Sequence, residues 1–221
     1  MIKIRTARES GPNSHLNLAW GGGAVAKRVV IAGILGGVAM FLWLFVAHEF
    51  LPLGEMGVGE IPNEAAVLAA MRSALPQSGL YLFPGFGLGP NATSQQRKEA
   101  MPAYTKKYEQ SPHGILIYHP ASGAFPFGAA LAREGLLNLV EGLLAAWLLA
   151  WAAPGKGYGA RVGFVVVAGI LATLTTNVEY WNWYEFPSSY TAGYMITQAI
   201  GYTLVGLIAA AFVKSDIAAQ N

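Results

Sequence analysis

One run of this sequence constrains the fold more than any other, because it is too long and too apolar for the core of a small soluble domain. Residues 29–47 read VVIAGILGGVAMFLWLFVA, which is 19 residues without a charged side chain. A helix rises about 1.5 Å per residue, so this run covers about 28 Å, close to the hydrocarbon thickness of a bilayer. Because 28 residues precede the run and no A-x-A cleavage site follows it, the sequence predicts an uncleaved signal anchor.

Three further apolar runs predict the remaining spans. Residues 135–153, with a start already near Phe127, predict the second span, residues 162–177 the third, and residues 188–213 the fourth. Hydrophobic residues make up 54% of the chain and charged residues only 12%, whereas roughly a quarter of an average soluble protein is charged. The sequence therefore predicts a mainly α integral membrane protein with four transmembrane helices.

Charged residues beside these runs predict the orientation, because cytoplasmic flanks are enriched in lysine and arginine. The loop PGKGYGAR after the second span is basic, whereas the loop after the third holds the acids Glu179 and Glu185. The N-terminal segment has Glu9 as its single acid against five bases, which are Lys3, Arg5, Arg8, Lys27 and Arg28. We therefore expect both termini in the cytoplasm and residues 48–125 outside it.

This organisation divides the chain into five parts. They are a cytoplasmic tail (1–28), the first transmembrane helix (29–47), an extracytoplasmic cap (48–125), a bundle of three transmembrane helices (126–214) and a second cytoplasmic tail (215–221).

The cap sequence indicates a small α+β unit. Asn63 followed by EAAVLAAMRSAL is typical of a capped helix start. The runs GLYLF at 79–83 and GILIY at 114–118 favour short strands, with a polar helix near residues 104–110 between them. The Gly- and Pro-rich residues 84–96 predict a loop.

The order of these pieces resembles a family of uncharacterised bacterial four-helix integral membrane proteins. The resemblance extends from about residue 29 to 213, and it lies in a basic N-terminus and one span, then LPLGEMGVGEIPNEAAVLAAM, GLYLFPG, SPHGILIY, and EYWNWYEFP ahead of the last span. It implies the architecture and a bacterial inner membrane location, and it implies no activity.

Glu141 is the sharpest candidate for function, because it lies near the middle of the second span, where a charged carboxylate costs at least about 2.5 kcal/mol unless it is paired or protonated. Glu134, Asn138 and Glu141 are spaced i, i+4 and i+7, so they share one helix face. The expected hydrogen-bonding partners are Tyr194, Thr197, Gln198 and Tyr202 on the fourth span, or Thr173, Thr176 and Asn177 on the third. Three roles for Glu141 stay open: a protonated interhelical hydrogen bond, proton or ion handling, and contact with a partner subunit.

Small residues predict where helices approach closely. Gly33 and Gly37 form a GxxxG pattern in the first span, and Gly201 and Gly206 keep part of the fourth span thin. The same faces suit packing within the bundle or association with another protein.

His48, Trp181 and Trp183 are candidates for contact with a ligand or pigment. His48 follows the first span, where an imidazole can ligate haem, chlorophyll or a metal, or simply accept a hydrogen bond. The two tryptophans belong to an aromatic rim that favours the headgroup layer and that equally suits a pigment, a quinone or a partner helix.

Several classes of function are excluded or disfavoured. The chain has no cysteine, its single aspartate is Asp216, and none of its four histidines lies within a predicted span, so we predict no catalytic set and no pair of histidines for haem. His113 and His119 would lie about 20 Å apart on a strand, so we predict no metal site. A net charge of +2 leaves no basic surface for nucleic acid.

These observations favour a non-catalytic accessory subunit of a larger bacterial membrane complex, respiratory or photosynthetic, whose partners are other membrane subunits and the lipid bilayer. The alternative is a small proton-coupled transporter, or a ligand-binding or sensor membrane protein, that uses Glu141 and the polar face of the fourth span. No cofactor of the chain itself is predicted, and contact with a pigment, haem or quinone through a partner stays open.

Overall fold

Four long apolar helices dominate the structure. A computed structural model describes residues 22–152 and 155–214 of the chain, so most of the N-terminal tail and the whole of the C-terminal tail lie outside the described residues. In chain order the elements are α1 (Gly22–Glu49), α2 (Glu64–Ala74), β1 (Gly79–Phe83), α3 (Ser94–Glu109), β2 (Gly114–Tyr118), α4 (Phe127–Ala152), α5 (Tyr158–Thr173), a π-helical turn (Leu174–Val178), α6 (Glu179–Tyr184) and α7 (Ser188–Phe212). The described part of the chain is mainly helical, and four of its helices are long and apolar enough to span a membrane.

The third long helix extends further than its sequence suggests. The prediction placed its end near Asn177 and both Glu179 and Glu185 in the following loop, but the helix continues through the π-helical turn and α6 to Tyr184. Polar side chains at the turn bond to carbonyl groups of their own helix: Thr173 Oγ1 donates to Gly169 O (2.6 Å) and Asn177 Nδ2 donates to Thr173 O (3.3 Å). Because these side chains are satisfied locally, the polar stretch does not end the helix.

The helices are arranged in the order α4, α1, α7, α5. Helix α1 packs along both α4 and α7, and α7 packs along α5, whereas α4 and α5 scarcely touch. A fissure therefore separates α4 from α5, and α7 forms its floor. Helix α1 begins at Gly22, so the last residues of the predicted tail are already helical.

The contact between α1 and α4 is made by glycines, and we call it the glycine seam: Gly33 and Gly37 of α1 with Gly142 of α4. A Cβ added at Gly33 would lie 2.6 Å from the Leu143 Cα, and one at Gly37 would lie 2.6 Å from the Leu139 Cα. A Cβ at Gly142 would meet the Gly33 carbonyl oxygen and the backbone of Gly37. Backbone therefore packs directly on backbone, which is how helices associate where lipid removes any hydrophobic advantage.

Helix α7 is packed by a different combination of residues. The Met40 side chain lies on Gly201, and Gly206 faces Val162 and Val165 of α5. The Trp43 Nε1 group of α1 donates a hydrogen bond to the Thr197 carbonyl oxygen at 2.8 Å. The buried core continues along the same helices through Val29, Ala32, Ala145, Ala146, Leu149, Val205, Ala209 and Ala210.

Residues 50–126, which we call the connecting segment, join α1 to α4. The two short strands lie at the two predicted runs and pair antiparallel, with Gly79 opposite Tyr118 and Phe83 opposite Gly114. The predicted loop 84–96 ends three residues earlier than expected, because Thr93 and Gln96 form a reciprocal cap that starts α3 at Ser94. Within their described lengths neither α2 nor α3 has a buried residue, so this segment has little core of its own.

Candidate functional site

Two polar stripes face each other across the bundle, one on α4 and one on α7. The residues of each stripe recur at helical spacing, which is i, i+4 and i+7 on α4 and i, i+4 and i+8 on α7. Each stripe therefore occupies a single helix face. The stripe residues are Glu134, Asn138 and Glu141 on α4, and Tyr194, Gln198 and Tyr202 on α7. Five of these six residues line two cavities, and Asn138 lies between Glu134 and Glu141 on α4.

The larger cavity, which we call the His48 groove, lies where the end of α1 meets the starts of α4 and α7. It has a volume of about 680 Å³ and an open side. Its polar lining consists of His48, Glu49, Glu134, Tyr194 and Gln198. Its apolar lining consists of Phe41, Leu42, Leu44, Phe45, Phe127 and Leu131. A mostly apolar cavity with a few convergent polar groups is the ordinary form of a small-molecule site.

The His48 ring is held in one orientation and one tautomer. Its Nδ1 lies 2.8 Å from the Leu44 carbonyl oxygen, and a carbonyl can only accept, so Nδ1 carries the proton. In the neutral ring Nε2 is then an acceptor. The loop after α1 folds over the ring at Gly54, where an added Cβ would meet His48. The His48 ring therefore lies in the groove lining with a fixed orientation.

Asn138 joins the groove to the glycine seam. It is only 2% exposed, and its Nδ2 donates to Glu134 Oε1 at 3.0 Å. Its backbone carbonyl faces Gly37, where an added Cβ would lie 2.5 Å from that oxygen. The bond holds the Glu134 carboxylate at the groove and leaves Oε2 for another partner.

The smaller cavity, which we call the Glu141 crevice, lies in the fissure between α4 and α5. Its volume is about 210 Å³, and Glu141 and Tyr202 supply its polar groups. The Tyr202 ring lies against Gly169 of α5, where no Cβ would fit. The rest of the lining is apolar: Leu144, Ala145, Leu148, Phe164, Val165, Ala168, Gly169 and Ala172. The groove and the crevice thus lie one after the other along the same two polar stripes.

The other predicted residues lie elsewhere. Trp181 donates through Nε1 to Ser188 Oγ at 3.0 Å, and the Trp183 side chain is 72% exposed, so neither joins His48 in the groove. Gly33 and Gly37 lie in the glycine seam, and Gly201 and Gly206 lie under Met40 and beside Val162. Gly142, which completes the seam, was missed because a single glycine in a Leu- and Ala-rich run carries no pattern.

A second contact that sequence analysis missed ties the connecting segment to the end of α6, and we call it the Glu185 clasp. The Glu185 carboxylate lies 2.9 Å from His113 Nε2 and accepts a hydrogen bond from the Tyr108 hydroxyl at 3.0 Å. The Tyr108 and His113 rings stack with centroids 4.1 Å apart. Glu185 also adopts a left-handed backbone conformation (φ 56°), which is uncommon for a residue other than glycine.

These contacts change the titration of the clasp. The hydrogen bond from His113, followed by that from Tyr108, lowers the pKa of Glu185 below its ordinary value of 4.5. Desolvation, followed by the bond to Glu185, raises the pKa of Tyr108 above 10.0. The clasp is therefore most complete with an ionised carboxylate and a neutral phenol. It could not be predicted from sequence, because 72 residues separate His113 from Glu185.

Metal ligation has no support in the described part of the chain, where no three His, Asp or Glu side chains lie close enough together to hold an ion. His113, weighed as a metal ligand with His119, bonds to Glu185 instead. Comparison of the chain with protein-family models, curated proteins and solved structures finds no match.

Proposed function

We propose that this chain is a multi-pass membrane protein that binds a lipophilic small molecule with a polar head in the His48 groove. The observation that carries the proposal is the groove itself, with a volume of about 680 Å³, inside the range of roughly 300 to 1,000 Å³ common for ligand sites. Aromatic and aliphatic side chains suit an apolar body, while His48, Glu134 and Gln198 suit a hydrogen-bonding head.

The polar stripes support a route between the groove and the Glu141 crevice. Glu134 and Gln198 line the groove, Glu141 and Tyr202 line the crevice, and Asn138 lies between the two carboxylates on α4. A ligand bound at Glu134 would therefore affect Glu141, about two turns further along α4. We extend this proposal to proton-coupled transport in which Glu141 binds and releases the proton. The crevice between α4 and α5 provides space beside its carboxyl group.

The proposal is tested by photocrosslinking of the full chain in lipid nanodiscs with a lipophilic diazirine that carries a hydroxyl head. We expect labelled peptides within residues 41–49 and 127–134. Leu131→Trp fills the groove and should abolish this labelling. Leu136→Trp is the matched control, because Leu136 lies on α4, is 62% exposed and does not line the groove. Labelling that is unchanged by Leu131→Trp would contradict a groove site.

We also propose the orientation that the sequence indicates, with both termini in the cytoplasm of a bacterium and the connecting segment as an extracytoplasmic cap on the inner membrane. The arrangement of basic residues supports it. Arg28 and Lys214 line one cavity beside the end of α7, and Arg161 Nη1 donates to the Val213 carbonyl oxygen at the same end. A basic bundle end faces the cytoplasm in most membrane proteins. Cysteine labelling from each side at Lys27 and Glu60 tests the orientation, since the chain has no native cysteine.

An accessory subunit of a larger membrane complex is the second candidate. It is favoured by Trp147 and Trp151, whose parallel rings have centroids 6.4 Å apart and which are 40% and 67% exposed. Trp147 also lines an apolar hollow between α1 and α4. Such a surface suits a neighbouring helix. Blue-native electrophoresis of gently solubilised native membranes, followed by mass spectrometry, tests this candidate. Migration as a monomer without partners would contradict it.

A further inference from the structure

The charges that line the His48 groove specify the head of its ligand more narrowly than the proposed function does. Glu49 and Glu134 both line the groove, and among the residues that the structure describes no lysine or arginine lines it. Arg133 is the neighbour of Glu134 in sequence, but successive helical residues point about 100° apart, and Arg133 is not part of the lining. Apart from the His48 imidazole, the titratable groups of this lining are therefore two carboxylates and the Tyr194 phenol.

Aromatic rings reinforce the same preference. Phe41, Phe45, Phe127 and Tyr194 line the groove together with the two carboxylates. The face of an aromatic ring is electronegative and attracts cations, most strongly where water is excluded. A carboxylate beside the hydrocarbon layer is likewise stabilised by an opposite charge.

A hydrogen bond positions the Glu134 carboxylate in the groove, where it can pair with a cation. Asn138 donates to Oε1 and fixes the group, while Asn138 itself is buried against α1. An anionic head would thus meet two carboxylates and no lysine or arginine, whereas a cationic head would meet complementary carboxylates and aromatic rings.

From this charge complementarity we propose that the His48 groove binds lipophilic cations, such as ammonium or phosphonium ions with an apolar body, with Glu134 as the principal counter-ion and Glu49 as a secondary one. This inference rests on the proposed function, and it assigns the ligand class of the same groove.

The test compares two ions of nearly equal shape and opposite charge, tetraphenylphosphonium and tetraphenylborate. Saturable binding of each is measured on the full chain in phosphatidylcholine nanodiscs, after subtraction of uptake by empty nanodiscs. We expect saturable binding of the phosphonium only. Glu134→Gln should weaken it by about tenfold or more, and Glu49→Gln by less. Glu179→Gln is the matched control, because it removes one exposed carboxylate outside the groove and should leave binding unchanged.

The outcomes separate this inference from the proposed function. Equal binding of both ions that is blocked by Leu131→Trp and unaffected by Glu134→Gln would overturn cation selectivity and leave a groove for neutral lipophilic molecules. Phosphonium binding that Leu131→Trp does not reduce would overturn the groove as a binding site. Circular dichroism and gel filtration of each variant exclude loss of fold as the cause of lost binding.

Discussion

The glycine seam and the Glu185 clasp hold two parts of this protein in place by different physical means. In the seam, Gly33, Gly37 and Gly142 let the backbones of α1 and α4 touch, so stability depends on the absence of side chains. In the clasp, the exposed His113 and Glu185 and the half-buried Tyr108 hold the connecting segment through hydrogen bonds and a ring stack. The seam should therefore respond to changes of volume, and the clasp to changes of charge.

The largest expected effect comes from adding one methyl group to the seam. A Cβ at Gly142 meets the backbone of Gly33 and Gly37, and backbone cannot move aside as a side chain end can. We expect Gly142→Ala to destabilise the protein by about 1–3 kcal/mol, the usual cost of overpacking. The free energy of unfolding of both proteins in bicelles is the measurement that checks this loss.

Gly163→Ala is the control for this prediction, since nothing in the described structure lies within 4 Å of the added Cβ. It should be neutral or stabilise by up to about 1 kcal/mol, because alanine is the better helix former. If the two variants were equally stable, the seam would not be a close contact.

A smaller effect is expected at Asn138, which belongs to the seam through its backbone and to the groove through its side chain. Asn138→Ala removes a buried amide and its bond to Glu134, and we expect a loss of about 1–2 kcal/mol. A double-mutant cycle with Glu134→Ala should give a coupling of about 0.5–1.5 kcal/mol. Strictly additive losses would show that the hydrogen bond contributes nothing.

The clasp should show the smallest change in stability and the clearest dependence on pH. Because the folded pKa of Glu185 is lowered, its contribution is present above the ordinary value of 4.5 and is lost as the pH falls through the lowered pKa. Limited proteolysis within residues 84–93 should therefore accelerate in acid. Glu185→Gln should show faster cleavage at neutral pH and less further change on acidification.

Glu109→Gln is the control for the clasp, because Glu109 lies next to Tyr108 but takes no part in it. Its cleavage profile should follow that of the unmodified protein. A profile for Glu185→Gln with the full acid response would assign the pH dependence to another group.

The sequence predicts well where the membrane-spanning helices lie along the chain, and it predicts poorly how these helices pack against one another. An apolar run such as 29–47 needs only its own composition to identify it as a membrane helix, and the four helices lie where such runs occur. The end of the third helix was misplaced because Asn177 and Glu179 resemble loop residues, although Asn177 bonds within its own helix.

The candidate site was accessible from sequence only within each helix. Spacing places Glu134, Asn138 and Glu141 on one face, but it does not reveal that α1 supplies His48 to the same groove. That relation depends on the order α4, α1, α7, α5, which follows from packing and not from any local pattern.

The double role of Asn138 has an evolutionary consequence. Its carbonyl oxygen faces Gly37 and its amide holds Glu134, so one position serves both the architecture and the chemistry. Only the bond to Glu134 depends on the side chain, so substitutions at residues 134 and 138 cannot accumulate independently. Across related sequences these two positions should covary, whereas residue 37 should stay glycine whatever residue stands at 138, because the backbone carbonyl of residue 138 leaves it no room for a Cβ.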